Sequence, residues 1–427
     1  MAVAMYDAMN TNNSRAKKYL SIMALGFAGG SIYLIPFIRY VFYTWQADAM
    51  MITNQQLGIL STMYAIGNTL LYIPGGIVSD KFSTKKCLLF SLMSTTVLTF
   101  MFAMRVNSYS LALVIWLLFA FTTTFLFWCA LMKTIRMLGS ESEQGFLFGL
   151  YYMGNGLSGA LINTIALKFT SEGASAVSNF KVGVYVYGAS TLVAFILIFF
   201  FVKDTRGSEE AEDEKFRFNQ VGALLRNPAL WLFSAIVFTG YALFSSASYL
   251  TPYLTDVVGL SPTQSGYLSI VRSYIFYIFS PISGIIADKV FKSTSKWFML
   301  LYVILTLLYI GIILIPSSVS SGFIGLYSLL PGLFGLALYG IIFSVASEAK
   351  IPVALMGTAV GIVSIVGYSS DFFAPALFGR WIDNAEKAGS LTLGYNKIFI
   401  FLAICCIVGL VASALIFRNT KRKAKEC

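Results

Sequence analysis

Long apolar runs recur along the whole chain and constrain its fold more than any other feature. A helix needs about 20 consecutive apolar residues to cross roughly 30 Å of hydrocarbon. Runs that meet this length lie near 19–43, 56–79, 85–105, 109–135, 144–169, 180–202, 228–254, 263–287, 296–315, 322–346, 353–379 and 395–417. The sequence therefore predicts an all-α membrane protein with twelve transmembrane helices.

The composition supports a lipid environment and excludes several classes of function. Hydrophobic residues make up 57% and charged residues 11% of the 427 positions, against about 45–50% and about 25% in soluble domains. The chain has no histidine, which excludes histidine proton relays, metal sites with histidine ligands and histidine-based catalytic triads. The five cysteines lack disulfide or zinc spacing, and no P-loop sequence occurs. We expect no enzyme activity, no cofactor and no metal.

The positive charges predict an orientation in the membrane. With both termini placed in the cytosol, 21 Arg and Lys residues lie in cytosolic segments and 6 in external ones. Because cytosolic loops carry the excess of Arg and Lys, this bias predicts cytosolic termini. The net charge of +11 is then a topological signal, and we expect lipid rather than nucleic acid as the partner.

A charged gap divides the twelve runs into two sets of six. Residues 203–227 include Glu209, Glu210, Glu212 and Asp213, which are too polar for lipid. We predict an N-terminal six-helix bundle at 1–202, a cytosolic linker at 203–227, and a C-terminal bundle at 228–427 with a basic tail.

A short motif occurs at the same place in each set. Both copies have the pattern Gly-x-x-x-Asp-Lys before a basic turn that contains Ser and Thr, and they begin 208 residues apart. The motif residues are Gly76, Asp80, Lys81, Lys85 and Lys86 in the first copy and Gly284, Asp288 and Lys289 in the second. An ordinary basic loop explains one copy but not two in register. We predict a gate in which the glycines allow close helix approach and the aspartates face helix N-termini.

The two motif copies resemble the loop signature of the major facilitator superfamily, Gly-x-x-x-Asp-Arg-x-Gly-x-Arg-Arg. Lys81 and Lys289 stand where arginine is usual, Ser83 replaces a glycine, and the second copy has extra residues before its serine. The resemblance implies two pseudo-symmetric six-helix bundles that move a small solute by alternating access. We also expect a monomer.

A segment of the fourth span resembles particular groups of carriers within the superfamily. Trp128 to Lys133 is similar to the Trp-Pro-x-x-x-Arg of organic-anion and organic-phosphate carriers, with Cys129 in place of proline and Lys133 in place of arginine. Residues 367–375 and 347–350 resemble bacterial YihN-type members. The resemblance implies Lys133 as a substrate ligand and a bacterial cytoplasmic (inner) membrane as the location.

Four charged residues of the predicted spans are candidates for the transport chemistry, namely Arg39, Lys133, Arg272 and Asp371. A charge at the bilayer centre costs from about 2.5 to over 10 kcal/mol, so such residues indicate a cavity or a partner. Three cations against one acid predict a cavity that attracts anions. Lys133 and Arg39 could instead extend to the headgroups. We predict an ion pair between Arg272 and Asp371, either structural or sensitive to a coupling proton; the alternative is that the two residues are unpaired.

Aromatic and amide side chains at midplane depth are further candidates for solute binding. They are Tyr33, Trp128, Tyr152, Tyr241 and Asn155. Helix packing is the alternative role in a chain with 16% aromatic residues. The glycine-rich run 154–159 imitates a dinucleotide fingerprint, but it lies inside span five without a preceding strand, so we interpret it as a close helix contact.

These observations predict a secondary active transporter of a small organic anion such as a sugar acid, another carboxylate or a phosphorylated metabolite. A multidrug or neutral-sugar carrier is the nearest alternative. A membrane sensor that does not transport is the alternative from another class. The coupling ion, whether a proton or another, and the choice among symport, antiport and uniport stay open.

Overall fold

The computed structural model describes residues 2–139, 144–171, 173–204, 225–316, 318–349 and 356–423. Within these ranges the regular elements are all helices, as the apolar runs predict. The side chains of 72–81, and with them Gly76, Asp80 and Lys81 of the predicted gate, lie outside the described residues. Most of the predicted linker, 205–224, lies outside them as well.

Twelve helical segments can be followed in the described residues, and each overlaps one predicted span. Their bounds are α1 Ala2–Ile32 with Arg39–Met50, α2 Asn54–Lys81, α3 Thr84–Met104, α4 Tyr109–Met137, α5 Gln144–Lys168, α6 Ala176–Phe201, α7 Pro228–Asp256, α8 Pro262–Phe291, α9 Thr294–Leu314, α10 Ser321–Tyr339 with Ile342–Ser347, α11 Met356–Gly367 with Tyr368–Phe372 and Ala374–Lys387, and α12 Leu391–Lys423. Nine helices of the described part are long and apolar enough to cross a membrane. The prediction of an all-α membrane protein is confirmed.

Polar N-caps explain where many of these helices begin. A side-chain oxygen accepts a hydrogen bond from an amide of the first turn and so satisfies one unpaired donor. The residues that do this are Ser83, Ser108, Ser175, Asn227, Ser261, Ser293 and Ser320. Ser261 also forms a capping box with Gln264. These caps set the helix starts within a few residues of the limits that hydropathy predicts.

Two stretches of π-helix interrupt the α-helical pattern at places that matter for the site. Phe121–Trp128 is π-helical inside α4, and Ile286–Phe291 is π-helical at the end of α8. The second stretch contains Asp288 and ends at Lys292, which is left-handed with φ 50°. The extra residues of the second motif copy are therefore accommodated by a wider helical turn.

The chain divides into two compact units, each described by itself. The first unit comprises Met1–Met51 and Met63–Glu210. In it, α1 packs closely on α5, because a Cβ added at Gly26 would lie 3.1 Å from Gly154 Cα. The hydroxyls of Thr96 on α3 and Thr191 on α6 lie 2.7 Å apart. The close helix contact predicted for the run 154–159 is confirmed.

The second unit comprises Ile52–Thr62 and Ala211–Cys427. Here α12 lies close to α7 and α9, since a Cβ added at Gly409 would overlap the Tyr302 ring and lie 2.7 Å from the Thr239 hydroxyl. The first turns of α2 belong to this unit rather than to the first. The bundle limits that the sequence predicts, 1–202 and 228–427, stay predictions.

Candidate substrate-binding sites

A polar cluster in the first unit surrounds the π-helical part of α4. The phenol of Tyr33 donates to the Thr123 carbonyl at 3.3 Å, and the hydroxyls of Tyr64 and Thr123 lie 2.8 Å apart. The Tyr33 ring also meets Phe127 and Trp128 edge-on, with centroids 6.2 and 6.5 Å apart. The structure therefore brings the predicted pair Tyr33 and Trp128 together.

The same π-helix aims a second hydroxyl at α2. Thr124 donates to the amide oxygen of Asn68 at 2.5 Å. Lys133 lies further along α4 and is half-buried, neither enclosed in packing nor fully exposed. Asn68, Thr123 and Thr124 are absent from the predicted site, because their positions depend on the π-helix, which hydropathy does not show.

The predicted residues of α5 lie beside α1. Asn155 is half-buried and donates to the Tyr151 phenol at 3.1 Å. Tyr151 is fully buried, whereas Tyr152 is 43% exposed. A Cβ added at Gly29 would lie 2.9 Å from the Asn155 amide nitrogen, so the glycines of α1 leave room for this amide.

Arg39 follows the break in α1 and is only 4% exposed. Its guanidinium lies over the Tyr40 ring, 5.6 Å from the centroid, an arrangement that stabilises a cation away from water. Arg39 is thus placed in the packing of the first unit and not on an accessible surface.

Five aromatic rings of the second unit contact one another, one of them is hydrogen-bonded to Asp371, and we call them the tyrosine cluster. They are Tyr241, Phe244, Tyr277, Tyr339 and Tyr368. The Tyr241 phenol donates to the Asp371 carboxylate at 2.5 Å. All five rings and the carboxylate are half-buried. Tyr241 was predicted from the sequence, and the other rings were not.

Glycines beside the cluster tyrosines bring their helices together. Each of three tyrosines has a glycine neighbour in the chain, in the pairs Gly240-Tyr241, Tyr339-Gly340 and Gly367-Tyr368. A Cβ added at any of these glycines would overlap a side chain of another helix. Neighbouring residues on a helix point about 100° apart. When a glycine faces the neighbouring helix, the adjacent tyrosine therefore points to one side of that helix contact. This Gly–Tyr adjacency is a sequence signal that narrows the choice of tyrosines, although Tyr187, Tyr267 and Tyr395 also have a glycine neighbour.

Arg272 and Asp371 have different partners in this structure. The guanidinium of Arg272 donates to the hydroxyls of Thr251 at 2.7 Å and Ser328 at 3.3 Å, while Asp371 accepts from Tyr241. Arg272 is 1% exposed. Arg272 therefore lies inside helix packing with hydroxyl groups as partners, and its ion pair with Asp371 stays a prediction.

The fit around Arg272 leads to a stability prediction. A Cβ at Gly332 of α10 would overlap the Arg272 side chain, whereas one at Gly335 of the same helix meets nothing within 4 Å. We expect Gly332→Ala to lower the free energy of unfolding by about 1–3 kcal/mol through overpacking. Gly335→Ala should leave it unchanged or raise it by about 0.5–1 kcal/mol. Thermal unfolding in detergent checks both; equal shifts would contradict the placement of Arg272.

The described residues of the predicted gate lie mostly at the surface. Lys85 donates to the Phe199 carbonyl at 2.7 Å, and Lys86 is exposed. Asp288 and Lys289 are exposed too. A Cβ added at Gly284 would meet Ile341 at 3.6 Å, an ordinary contact, so this glycine does not mark a close approach here.

Two acids that the predicted site lacks cap helix N-termini in the second unit. The Glu348 carboxylate accepts from the Thr294 and Ser295 amides at the start of α9. The Asp383 carboxylate accepts from the Asn54 amide at the start of α2. The capping that the sequence predicts for the motif aspartate Asp288 is supplied at α9 by Glu348 instead.

Membrane-spanning helices with half-buried polar clusters, one in each unit, define a polytopic membrane protein built to handle small solutes. Residues 19–375 match the Major Facilitator Superfamily. The chain belongs to this superfamily of transporters, and it is an integral membrane protein. The resemblance of the two motif copies is thus confirmed.

Relatives of known name span nearly the whole chain. The inner membrane protein YqcE of Escherichia coli strain K12 is 30% identical over 409 residues, which is 90% of this chain and 94% of YqcE. The inner membrane protein YihN of the same strain is 26% identical over 418 residues, 96% of this chain and 98% of YihN. The hexuronate transporter of Bacillus subtilis strain 168 is 23% identical over 416 residues, 91% and 90% of the two chains. The likeness to YihN-type members is confirmed.

A solved structure agrees with the fold. The crystal structure of the nucleoside transporter NupG superposes with a TM-score of 0.68 at 15% sequence identity, covering 95% of this chain and 98% of NupG. At that identity the match concerns the fold alone.

Proposed function

We propose that this protein is a secondary active transporter of small organic anions and that Lys133 binds the anionic group. The half-burial of Lys133 carries the proposal: of the three predicted cations, Arg39 and Arg272 are buried, while Lys133 keeps an accessible part. An ammonium ion in a partly dry site attracts a carboxylate or phosphate strongly. The named function of the hexuronate transporter, a relative over 91% of this chain, supports an acidic solute.

The neighbours of Lys133 on α4 suit an organic solute. Trp128 lies five residues before it and meets the Tyr33 ring at 6.5 Å. Tyr33 and Trp128 are half-buried, so ring faces and a phenol are available beside the cation. A multidrug carrier of cations would favour an acid at the place of Lys133. The coupling role of Asp371, the cytosolic termini and the monomeric state stay predictions.

Exchange assays in proteoliposomes test the proposal. Vesicles preloaded with unlabelled solute are given radiolabelled D-glucuronate, glycerol 3-phosphate or D-glucose. We expect exchange of an anion but not of glucose. Lys133→Gln should reduce anion exchange at least about tenfold, since a charged hydrogen bond contributes about 1.5–3 kcal/mol, and Lys133→Arg should retain most of it.

Lys168→Gln is the matched control, because it removes the same charge from an exposed position at the end of α5. We expect wild-type exchange from this variant. Exchange of glucose with rejection of every anion would refute the proposal, as would full activity of Lys133→Gln.

A further inference from the structure

Three consecutive threonines on α4 form hydrogen bonds to three other helices of the first unit, and we call them the threonine triplet. They are Thr122, Thr123 and Thr124, and each is at most 3% exposed. All three lie inside the π-helical stretch Phe121–Trp128. A π-helix is rare and occurs mostly as a single wide turn, so contacts with neighbouring helices have to hold it in place.

The Phe119 carbonyl, just before the π-helical stretch, accepts hydrogen bonds from two hydroxyls of the triplet. Thr122 donates to it at 3.2 Å and Thr123 at 2.8 Å. Threonine hydroxyls that bond to a carbonyl of the preceding turn offer the backbone an alternative to its regular helical bonds and often bend the helix. The sequence therefore favours a departure from α-helical geometry at this place.

The first threonine is bound to α3 through both its carbonyl and its hydroxyl. The Ser91 hydroxyl donates to the Thr122 carbonyl at 2.5 Å, and the Thr95 hydroxyl donates to the Thr122 hydroxyl at 2.8 Å. Ser91 and Thr95 are fully buried. Because a buried polar group that loses its partner is costly, these two bonds fix the position of Thr122 against α3.

The second and third threonines are bound to α1 and α2. The phenol of Tyr33, at the break in α1, donates to the Thr123 carbonyl at 3.3 Å, and the phenol of Tyr64 on α2 lies 2.8 Å from the Thr123 hydroxyl. Thr124 donates to the amide oxygen of Asn68 on α2 at 2.5 Å. The triplet thus ties the wide turn to α1, α2 and α3 together.

The wide turn determines the direction of every later residue of α4. The helix returns to α-helical geometry at Cys129–Met137, which contains Lys133. An α-helix turns by about 100° and rises about 1.5 Å per residue, while the π-helical turn takes up an extra residue. Without the wide turn, each later residue would take the direction that the next residue has now. Lys133 would then point where Thr134, which is 3% exposed, points in the structure.

We propose that the threonine triplet is a set of positioning residues, which hold α4 in its π-helical form and thereby direct the Lys133 ammonium ion to the solute. This inference rests on the proposed function, which gives Lys133 the role of anion ligand. The triplet is buried and acts through Lys133, which is half-buried. Loss of the wide turn would carry the ammonium ion from an accessible direction into a buried one.

Cysteine labelling of the full-length protein measures the direction of α4 without any solute. Lys133→Cys and Ile135→Cys are labelled with N-ethylmaleimide in detergent, and the modification of each peptide is followed by mass spectrometry. Both are compared with and without the paired substitutions Thr123→Val and Thr124→Val, which keep the side-chain shape and remove two hydroxyls. We expect the labelling rate at residue 133 to fall at least about fivefold, since a buried thiol reacts only after local opening.

Residue 135 should respond in the opposite sense. Ile135 is fully buried, and without the wide turn it would take the direction of Arg136, which is exposed. We therefore expect the labelling rate at residue 135 to rise in the valine variant while the rate at residue 133 falls. A general loosening of the helix would raise both rates, so this reciprocal change is specific to a rotation of α4.

Exchange kinetics connect this rotation to the solute. In proteoliposomes, the paired valine substitutions should raise the KM for the anion that the wild type exchanges, D-glucuronate or glycerol 3-phosphate, about tenfold, the effect of losing one hydrogen bond to a charged group. Thr123→Ser with Thr124→Ser keeps both hydroxyls and should retain the wild-type KM. Thr134→Val is the matched control, because the Thr134 hydroxyl donates to the Ala130 carbonyl of α4 itself at 2.7 Å. It should change neither the KM nor the labelling of residue 133.

The outcomes separate this inference from the proposal on which it rests. Unchanged labelling at residues 133 and 135 in the valine variant, or a rise at both, overturns the positioning role and leaves an organic-anion carrier standing. An equal increase of the KM in the Thr134→Val control overturns it as well. Exchange of no anion by the wild-type protein refutes the proposed function, while the labelling still decides whether the triplet sets the direction of α4.

Discussion

Asp383→Asn is expected to lower the free energy of unfolding by about 2–4 kcal/mol and to expose the first turns of α2 to solvent exchange. The Asp383 carboxylate is only 8% exposed and accepts three hydrogen bonds of 2.9 Å. The donors are the backbone amides of Asn54 and Gln55 and the side-chain amide of Asn54. An asparagine turns an NH₂ group towards donors, which leaves buried N–H groups unpaired at a helix N-terminus.

The effect should spread along the contact between α2 and α11, because Asp383 ends a continuous line of contacts. Gly379 lies against the Asn54 backbone, and Gly58 lies against the Pro375 backbone, so closely that a Cβ at either glycine would overlap the opposing chain. One turn further, Thr62 donates to the Asp371 carbonyl at 3.4 Å. Positions four residues apart share one helix face, so the line runs from Asp383 to Asp371.

Hydrogen–deuterium exchange of residues 54–62 and the thermal unfolding midpoint in detergent measure this effect. The matched control is Glu386→Gln, which removes an exposed acid from the same helix three residues on and should change stability by less than about 0.5 kcal/mol. Equal behaviour of the two variants would show that the Asp383 cap contributes nothing to the contact.

Much of the helical layout could be predicted from the sequence because its causes are local. Span three was expected at 85–105 and is Thr84–Met104, and span seven at 228–254 is Pro228–Asp256. Apolar length fixes the helix, and a serine or asparagine fixes its start. Span one was expected to end near 43, but the helix continues to Met50, because packing shields polar residues such as Gln46, which is buried.

The sites were only partly predictable, since their causes lie in tertiary packing. Arg272 was identified by its depth in a span, but its partners are the hydroxyls of Thr251 and Ser328, which nothing in the sequence distinguishes from other Ser and Thr residues. Tyr339 and Tyr368 are two of 24 tyrosines, so their type alone singles out neither. Each of these two tyrosines has a glycine beside it, and this feature would have reduced the number of candidate tyrosines. A glycine allows two helices to approach closely, and the close approach orients the side chain next to it.

Glu348→Gln is expected to lower the free energy of unfolding by about 2–3 kcal/mol, through loss of the anionic cap on α9. The carboxylate accepts from the Thr294 amide at 2.5 Å, the Ser295 amide at 3.2 Å and the Ser293 hydroxyl at 3.1 Å. A negative charge at this end of the helix also opposes the positive end of its dipole. The amide of glutamine removes the charge and one acceptor oxygen, and it leaves the bond from Thr420 to the Glu348 carbonyl in place.

Asp288→Asn provides the decisive comparison, because the sequence motif predicts Asp288 as the capping acid, whereas in the structure it is exposed and Glu348 caps α9. We expect Asp288→Asn to change the unfolding free energy by less than about 0.5 kcal/mol. In a double-mutant cycle, Glu348→Gln and Ser293→Ala should show a coupling energy of about 0.5–1.5 kcal/mol, since the two side chains share a hydrogen bond. If Asp288→Asn lowered the free energy of unfolding more than Glu348→Gln does, the cap of α9 would be the motif residue Asp288 and not Glu348.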